Sequence, residues 1–224
     1  KAELPDGAEA FCGNKWRRRT LQDSFLRSGD ADIKGSESRW ILVDMYDLIC
    51  NMKKYCGSLF EVDDFILRTD FYRTIADKCE STYLFKEKSR EYLDKSLESF
   101  SVFVNERYGK NIILIKADLK SSYITLDNKI SELSDSDNTF EKKKAFIAEY
   151  EDKFAQQTDC YVIDISKRYY ADDRFPLGGA HIVHYEDEFY NQCCKHISEI
   201  LSGSKKRYRN DVDEEYIALR DLRI

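Results

Sequence analysis

YVIDISKRYYADDRFPLGGAHIVHYEDEFY, residues 161–190, passes from an apolar strand through a polar loop into an acidic-capped helix. The strand signal is the run Cys160–Ile165 (CYVIDI), a short apolar stretch that turns acidic at Asp164. Two earlier stretches have the same form: Trp40-Ile41-Leu42-Val43 before Asp44, and Asn111–Ala117 (NIILIKA) before Asp118. Short apolar runs of this kind read as buried parallel strands. Between them lie helical patterns: Val62–Ile75, Thr82–Tyr108 and Phe140–Phe154, with Glu186–Leu201 after the third strand. In the second, Tyr83, Leu84, Tyr92, Leu93, Leu97, Phe100 and Val104 recur at helical intervals and Gly109 is placed to end it. Gly203 is placed to stop the last. Strands alternating with long helices predict an α/β fold with a mainly parallel sheet and helices on both faces.

Composition agrees. The chain has 224 residues, long enough for a sizeable core and one domain by length. Two prolines and nine glycines are too few turn residues for an all-β sandwich. A net charge of −6 argues against a nucleic-acid protein. The basic clusters Arg17-Arg18-Arg19 and Lys205-Lys206-Arg207 are short and flanked by acids. Seven cysteines, scattered and odd in number, read as free thiols in a reducing cytoplasm. No metal-ligand spacing is present, so neither a metal nor a cofactor is expected. No apolar run approaches the ~20 residues of a membrane span. Residues 1–203 read as one domain. Residues 204–224 are highly charged and read as an appended helix or tail, which could pack on the domain, bind a partner or be disordered.

The candidate chemistry lies at the strand ends. Asp44, Asp118 and Asp164 would fall along one edge of a parallel sheet, where such folds bind ligands; each could equally cap the loop that follows it. Two of the three histidines, His181 and His184, stand three residues apart after the Gly178-Gly179 pair. They can be plain loop residues bonded to backbone, or a general base held beside the sheet edge. A base needs an orienting acid, and Asp172, Asp173 or Glu186 could supply one. Tyr185, Phe189 and Tyr190 follow, with core packing their default role and sugar stacking the alternative. No GxxxxGK[ST], GxGxxG or GxSxG occurs.

Taken in order, WRRRTLQDSF, RWILVDMYDL, FILRTDFYRT, NIILIKADL and VIDISKRYYADDRFPLGGAHIVHYEDEFY resemble a bacterial family of SGNH-hydrolase-like proteins. That family is found in gene clusters for capsule, teichoic acid and other surface polysaccharides. The resemblance covers roughly residues 14–200 and is most specific at Gly179, His184, Tyr185, Phe189 and Tyr190. It implies a three-layer, flavodoxin-like (SGNH-like) α/β/α fold and a serine esterase or O-acyltransferase acting on a glycan or activated-sugar precursor. Other polysaccharide-biosynthesis proteins are the implied partners. His184 matches the catalytic histidine, with Asp173 or His181 as its orienting partner. Asp44, Arg18 and Tyr185 are candidates for lining the pocket. The family pattern has an Asp three residues before the histidine; here that position is His181. The family also opens with a strand and a Gly-Ser turn bearing the nucleophile, and nothing in residues 1–14 matches it. Two expectations follow: a catalytically inactive domain that binds glycan or serves as a scaffold, or a chain that is part of a longer polypeptide.

Overall fold

The computed structural model describes residues 33–49, 52–56, 58–61, 67, 70–82, 85, 87–134, 138–176, 178–204 and 206–224. The chain divides into two compact units. One comprises Lys1–Ser38 and Ile49–Ser96, the other Arg39–Leu48 and Leu97–Ile224. The last residues belong to the second unit, packing on the domain being one of the alternatives open for residues 204–224.

The first unit holds an antiparallel sheet of β2 (Met52–Tyr55), β3 (Ser58–Glu61) and β4 (Glu80–Thr82), in the order β3-β2-β4. Helix α1 (Asp70–Ile75) lies between β3 and β4 in the chain. Cys56 turns the β2–β3 hairpin with φ +47°. Part of the expected Val62–Ile75 helix lies outside the described residues. The expected start of the next helix at Thr82 is corrected: Thr82 pairs with Met52 in β4, and α2 runs Glu87–Tyr108.

Among the described residues the second unit is built on a four-stranded, wholly parallel sheet. Its order is β1 (Ile41–Val43), β5 (Ile112–Ile115), β8 (Tyr161–Ile163) and β10 (Tyr208–Arg209). The four strands lie in the sheet in the order in which they occur in the chain, so crossover connections join them, and each connection contains a helix. These helices are α2, α3 (Phe140–Gln157) and α4 (Asp187–Leu201). Gly109 and Gly203 close α2 and α4 at φ +55° and +97°, the left-handed geometry that glycine adopts without steric penalty. Ile112, Ile113 and Leu114 of β5 are each fully buried. Successive strand residues point to opposite faces, so both faces of β5 are covered. This is an α/β arrangement compatible with three layers.

On one face Ile113, Ile163 and Ile165 pack with Phe189, Cys193 and Ile200 of α4 and Ile217 of α5 (Glu214–Asp221). Leu42 on β1 is half exposed, because β1 is an edge strand among the described residues. Residues 204–224 are integral to this unit. Val162 and Asp164 donate their N–H groups to the carbonyls of Arg207 and Arg209. Arg220 pairs with Glu186 at 2.8 Å.

A small mixed sheet sits beyond the C-terminal ends of β5 and β8. Here β6 (Ser122–Ile124) pairs antiparallel with β7 (Ile130–Glu132) and parallel with β9 (Ala171–Asp172). It is the platform on which the histidine loop rests.

Candidate functional site

The backbone places His184. Ala171 and Tyr185 form an antiparallel bridge, and the Asp172 N–H donates to the His184 carbonyl at 2.8 Å. Glu186 N–H donates to Tyr170 O, and Lys120 N–H to Ile182 O. Residues 182–186 are therefore tied both to β9 and to the segment after β5. Ahead of them the chain makes two tight turns: Phe175 N–H donates to Asp172 O, and Gly179 N–H to Phe175 O. Gly179 has φ +73°, and a Cβ there would come within 3.0 Å of Asp173 Oδ1 and 3.3 Å of Asp173 O. Glycine is required on both counts.

The turn delivers the Gly179 carbonyl 2.8 Å from His184 Nδ1. A carbonyl only accepts, so Nδ1 carries the hydrogen, and in the neutral ring Nε2 holds the free lone pair. The imidazole lies parallel to Phe175, with 4.1 Å between centroids and 19° between planes. Tyr190 steadies the same strip: its hydroxyl donates to Val183 O and accepts from Tyr185 N–H. His184 is thus held in one tautomer and one orientation, with one nitrogen left for proton transfer.

None of the three expected orienting acids holds it. Asp172 is engaged by Arg174 through Nε at 2.8 Å and Nη2 at 2.7 Å. Glu186 is fully buried and accepts from Tyr170 N–H, Tyr216 Oη and Arg220 Nη1. Asp173 packs beside Gly179 and makes no hydrogen bond to His184 among the described residues. The backbone carbonyl takes the place expected of a carboxylate.

His181 lies 4.9 Å from His184, centroid to centroid, and the Tyr46 ring meets it edge-on at 6.2 Å. Partial desolvation, then the neighbouring His184, keep its pKa below the ordinary imidazole value. Tyr46 brings the end of β1 to the loop. Asp44 itself is exposed and caps the turn that follows, its Oδ1 accepting from Tyr46 N–H at 3.2 Å. Arg18 lies outside the described residues. Tyr185 is buried and packs in the core, and its hydroxyl is fully used by Asp118, accepting from the N–H and donating to the carbonyl, both at 3.0 Å. Burial drives its pKa far above that of a free phenol.

The remaining two strand-end acids do share a crevice. Asp118 and Asp164 both line a cavity of about 300 Å³ together with Glu151 of α3. Asp164 accepts from Tyr208 Oη at 2.9 Å. Glu151 accepts from Ala117 N–H at 2.6 Å, and burial pushes its pKa up to about 8. Glu151 was not singled out in the sequence; it sits among the Glu and Lys residues of an amphipathic helix, and only its inward register separates it from them.

Among the described residues no serine, threonine or cysteine side chain hydrogen-bonds either His181 or His184. No group of three His, Cys, Asp or Glu among them could hold a metal ion, and no helix among them is long and apolar enough to cross a membrane. No protein-family model matches the chain, and neither a curated protein nor a solved structure matches it.

Proposed function

We propose that the chain is an SGNH-like, flavodoxin-like esterase or O-acyltransferase that acts in the cytoplasm on a bacterial surface polysaccharide or its activated-sugar precursor. The observation that carries this reading is the His184 imidazole, fixed through Nδ1 by the Gly179 carbonyl, with Nε2 unbonded among the described residues. In the proposed reaction a serine hydroxyl attacks the ester carbonyl carbon and its proton passes to His184 Nε2. The imidazolium returns that proton to the departing alkoxide, and the acyl group then passes to water or a sugar hydroxyl. A carbonyl in the acid's place still orients the ring. Its partial charge stabilises the imidazolium less than a carboxylate would.

The second reading is a catalytically inactive relative that binds glycan or serves as a scaffold for polysaccharide-biosynthesis proteins. It is favoured by the lack of a hydroxyl or thiol on either histidine among the described residues. Hydrolysis of p-nitrophenyl acetate by the longest natural form, compared with His184→Ala, separates the two. The esterase reading expects a loss of about 10²–10⁴-fold, the usual contribution of a positioned base. Equal rates leave the inactive reading standing.

A further inference from the structure

A crevice at the C-terminal ends of β5 and β8 has the makings of an anion site. Its larger part, about 340 Å³, is lined by five basic side chains, Lys120, Lys144, Lys167, Arg168 and Arg220, against the carboxylates of Asp118 and Asp221. The adjoining cavity of about 300 Å³ shares Asp118, Lys144 and Lys167 with it and adds Lys116 and the acids Glu141, Glu151 and Asp164. Both open at the C-terminal ends of β5 and β8, where parallel sheets bind ligands.

Two of the five cations are already paired, Arg168 with Glu214 at 2.9 Å and Arg220 with Glu186 and Asp221, which leaves Lys120, Lys144 and Lys167 around Asp118. Asp118 accepts from Lys120 Nζ at 2.7 Å and Lys144 Nζ at 2.8 Å, two ammonium groups on one carboxylate. Burial opposes ionisation of Asp118, but these two hydrogen bonds outweigh it and its pKa lies below the usual carboxylate value. One positive charge is left over at this point. Arg220 is anchored by Glu186 at 2.8 Å and by the Arg168 carbonyl at 2.9 Å. Lys167, which faces both cavities, forms no ion pair among the described residues.

Hydroxyl groups complete the set. Ser121 and Ser122 line the larger cavity, and their side chains have no hydrogen-bond partner among the described residues. Ser166 lines the smaller one, is 1% exposed, and its hydroxyl has no partner among the described residues. A buried hydroxyl without a partner is unfavourable unless something else supplies the bond.

We propose that this crevice binds a small phosphomonoester, a phosphorylated sugar, with the phosphate between Lys144 and Lys167 and the sugar hydroxyls toward the serines. A phosphate dianion offers several acceptor oxygens to converging cations and hydroxyls. The combined space suits a ligand of that size. Nucleic acid is a poor match, since it needs an extended basic surface rather than a recess. None of these side chains belongs to the His184 loop, so the site stands apart from the hydrolase reading.

Isothermal titration calorimetry of the full chain tests it with three probes: a hexose monophosphate, the unphosphorylated hexose and inorganic phosphate. The hexose monophosphate is expected to bind more tightly than either of the others. Lys167→Gln should weaken it about tenfold or more, as loss of a charge-assisted hydrogen bond implies. Lys142→Gln, a change to an exposed lysine that lines neither cavity, should leave it unchanged. Lys167 is exposed, so its variant should keep the fold, which circular dichroism checks. The proposal is overturned if the phosphorylated and unphosphorylated hexoses bind alike, if neither phosphate binds, or if Lys167→Gln binds as tightly as the unchanged protein.

Discussion

Replacing Gly179 by alanine perturbs His184 without touching its side chain. Gly179 sits at φ +73°, where an L-residue is disfavoured by roughly 1–2 kcal/mol. The new methyl would also meet Asp173 Oδ1 at 3.0 Å and Asp173 O at 3.3 Å. The carboxylate can swing aside, but the carbonyl oxygen belongs to the turn itself. Gly178→Ala is the internal control: φ is +106°, yet nothing lies within 4 Å of its Cβ position. Both variants should lose the backbone contribution, about 2–4 °C of Tm per kcal/mol for a chain of this length. Only Gly179→Ala should also move the carbonyl that fixes His184. The assay is thermal unfolding paired with ¹⁵N NMR of the histidine rings. Unchanged protein and Gly178→Ala should show His184 protonated on Nδ1, whereas Gly179→Ala should show a tautomer mixture. A single Nδ1–H tautomer in Gly179→Ala, with the same Tm as Gly178→Ala, would refute the argument that this carbonyl orients the ring.

The other predictions concern the buried charges and the C-terminal segment. Glu151 has a folded-state pKa of about 8 against 4.5 when unfolded. The folded state therefore holds the proton that the unfolded state gives up, and stability should fall between pH 4.5 and 8, by at most about 1.4 kcal/mol per pH unit. Glu151→Gln should flatten that slope and raise stability at pH 8, read by urea unfolding across pH; parallel curves for the two proteins would disprove it. Arg220→Ala leaves Glu186, 0% exposed, without its cation, and a loss of about 3–5 kcal/mol is expected from chemical denaturation. Deleting residues 204–224 removes β10, bares the edge of β8 and uncovers the pocket of Ile217. Size-exclusion chromatography should then show aggregation, and a monodisperse, equally stable product would count against an integral role for this segment.

How much of this was legible beforehand depended on whether the signal lay in side chains or in backbone. Apolar runs at Ile41–Val43, Ile112–Ile115 and Tyr161–Ile163 identify strands because hydrophobic burial on both faces leaves a continuous pattern. Gly109 and Gly203 mark helix ends because left-handed φ selects glycine. In contrast, β10 is two residues long, Tyr208-Arg209, and hydropathy cannot flag a polar edge strand. Thr82 joins β4 through a long-range pairing with Met52 that local periodicity does not encode. The histidine loop is legible from its residue types, but those types point to a carboxylate as its orienting group. A main-chain carbonyl has no letter of its own; the Gly178-Gly179 pair was the only trace it left. The cationic crevice was hidden for a related reason, since Lys120, Lys144, Lys167 and Arg220 are far apart in a chain rich in charge and converge only through the fold.

The central claim is that His184 acts as a general base on an ester. Its most direct test is the rate of ester hydrolysis by the longest natural form, set beside His184→Ala and His181→Ala. The account predicts a loss of about 10²–10⁴-fold for His184→Ala and a much smaller one for His181→Ala. Equal hydrolysis by the unchanged protein and His184→Ala would contradict it.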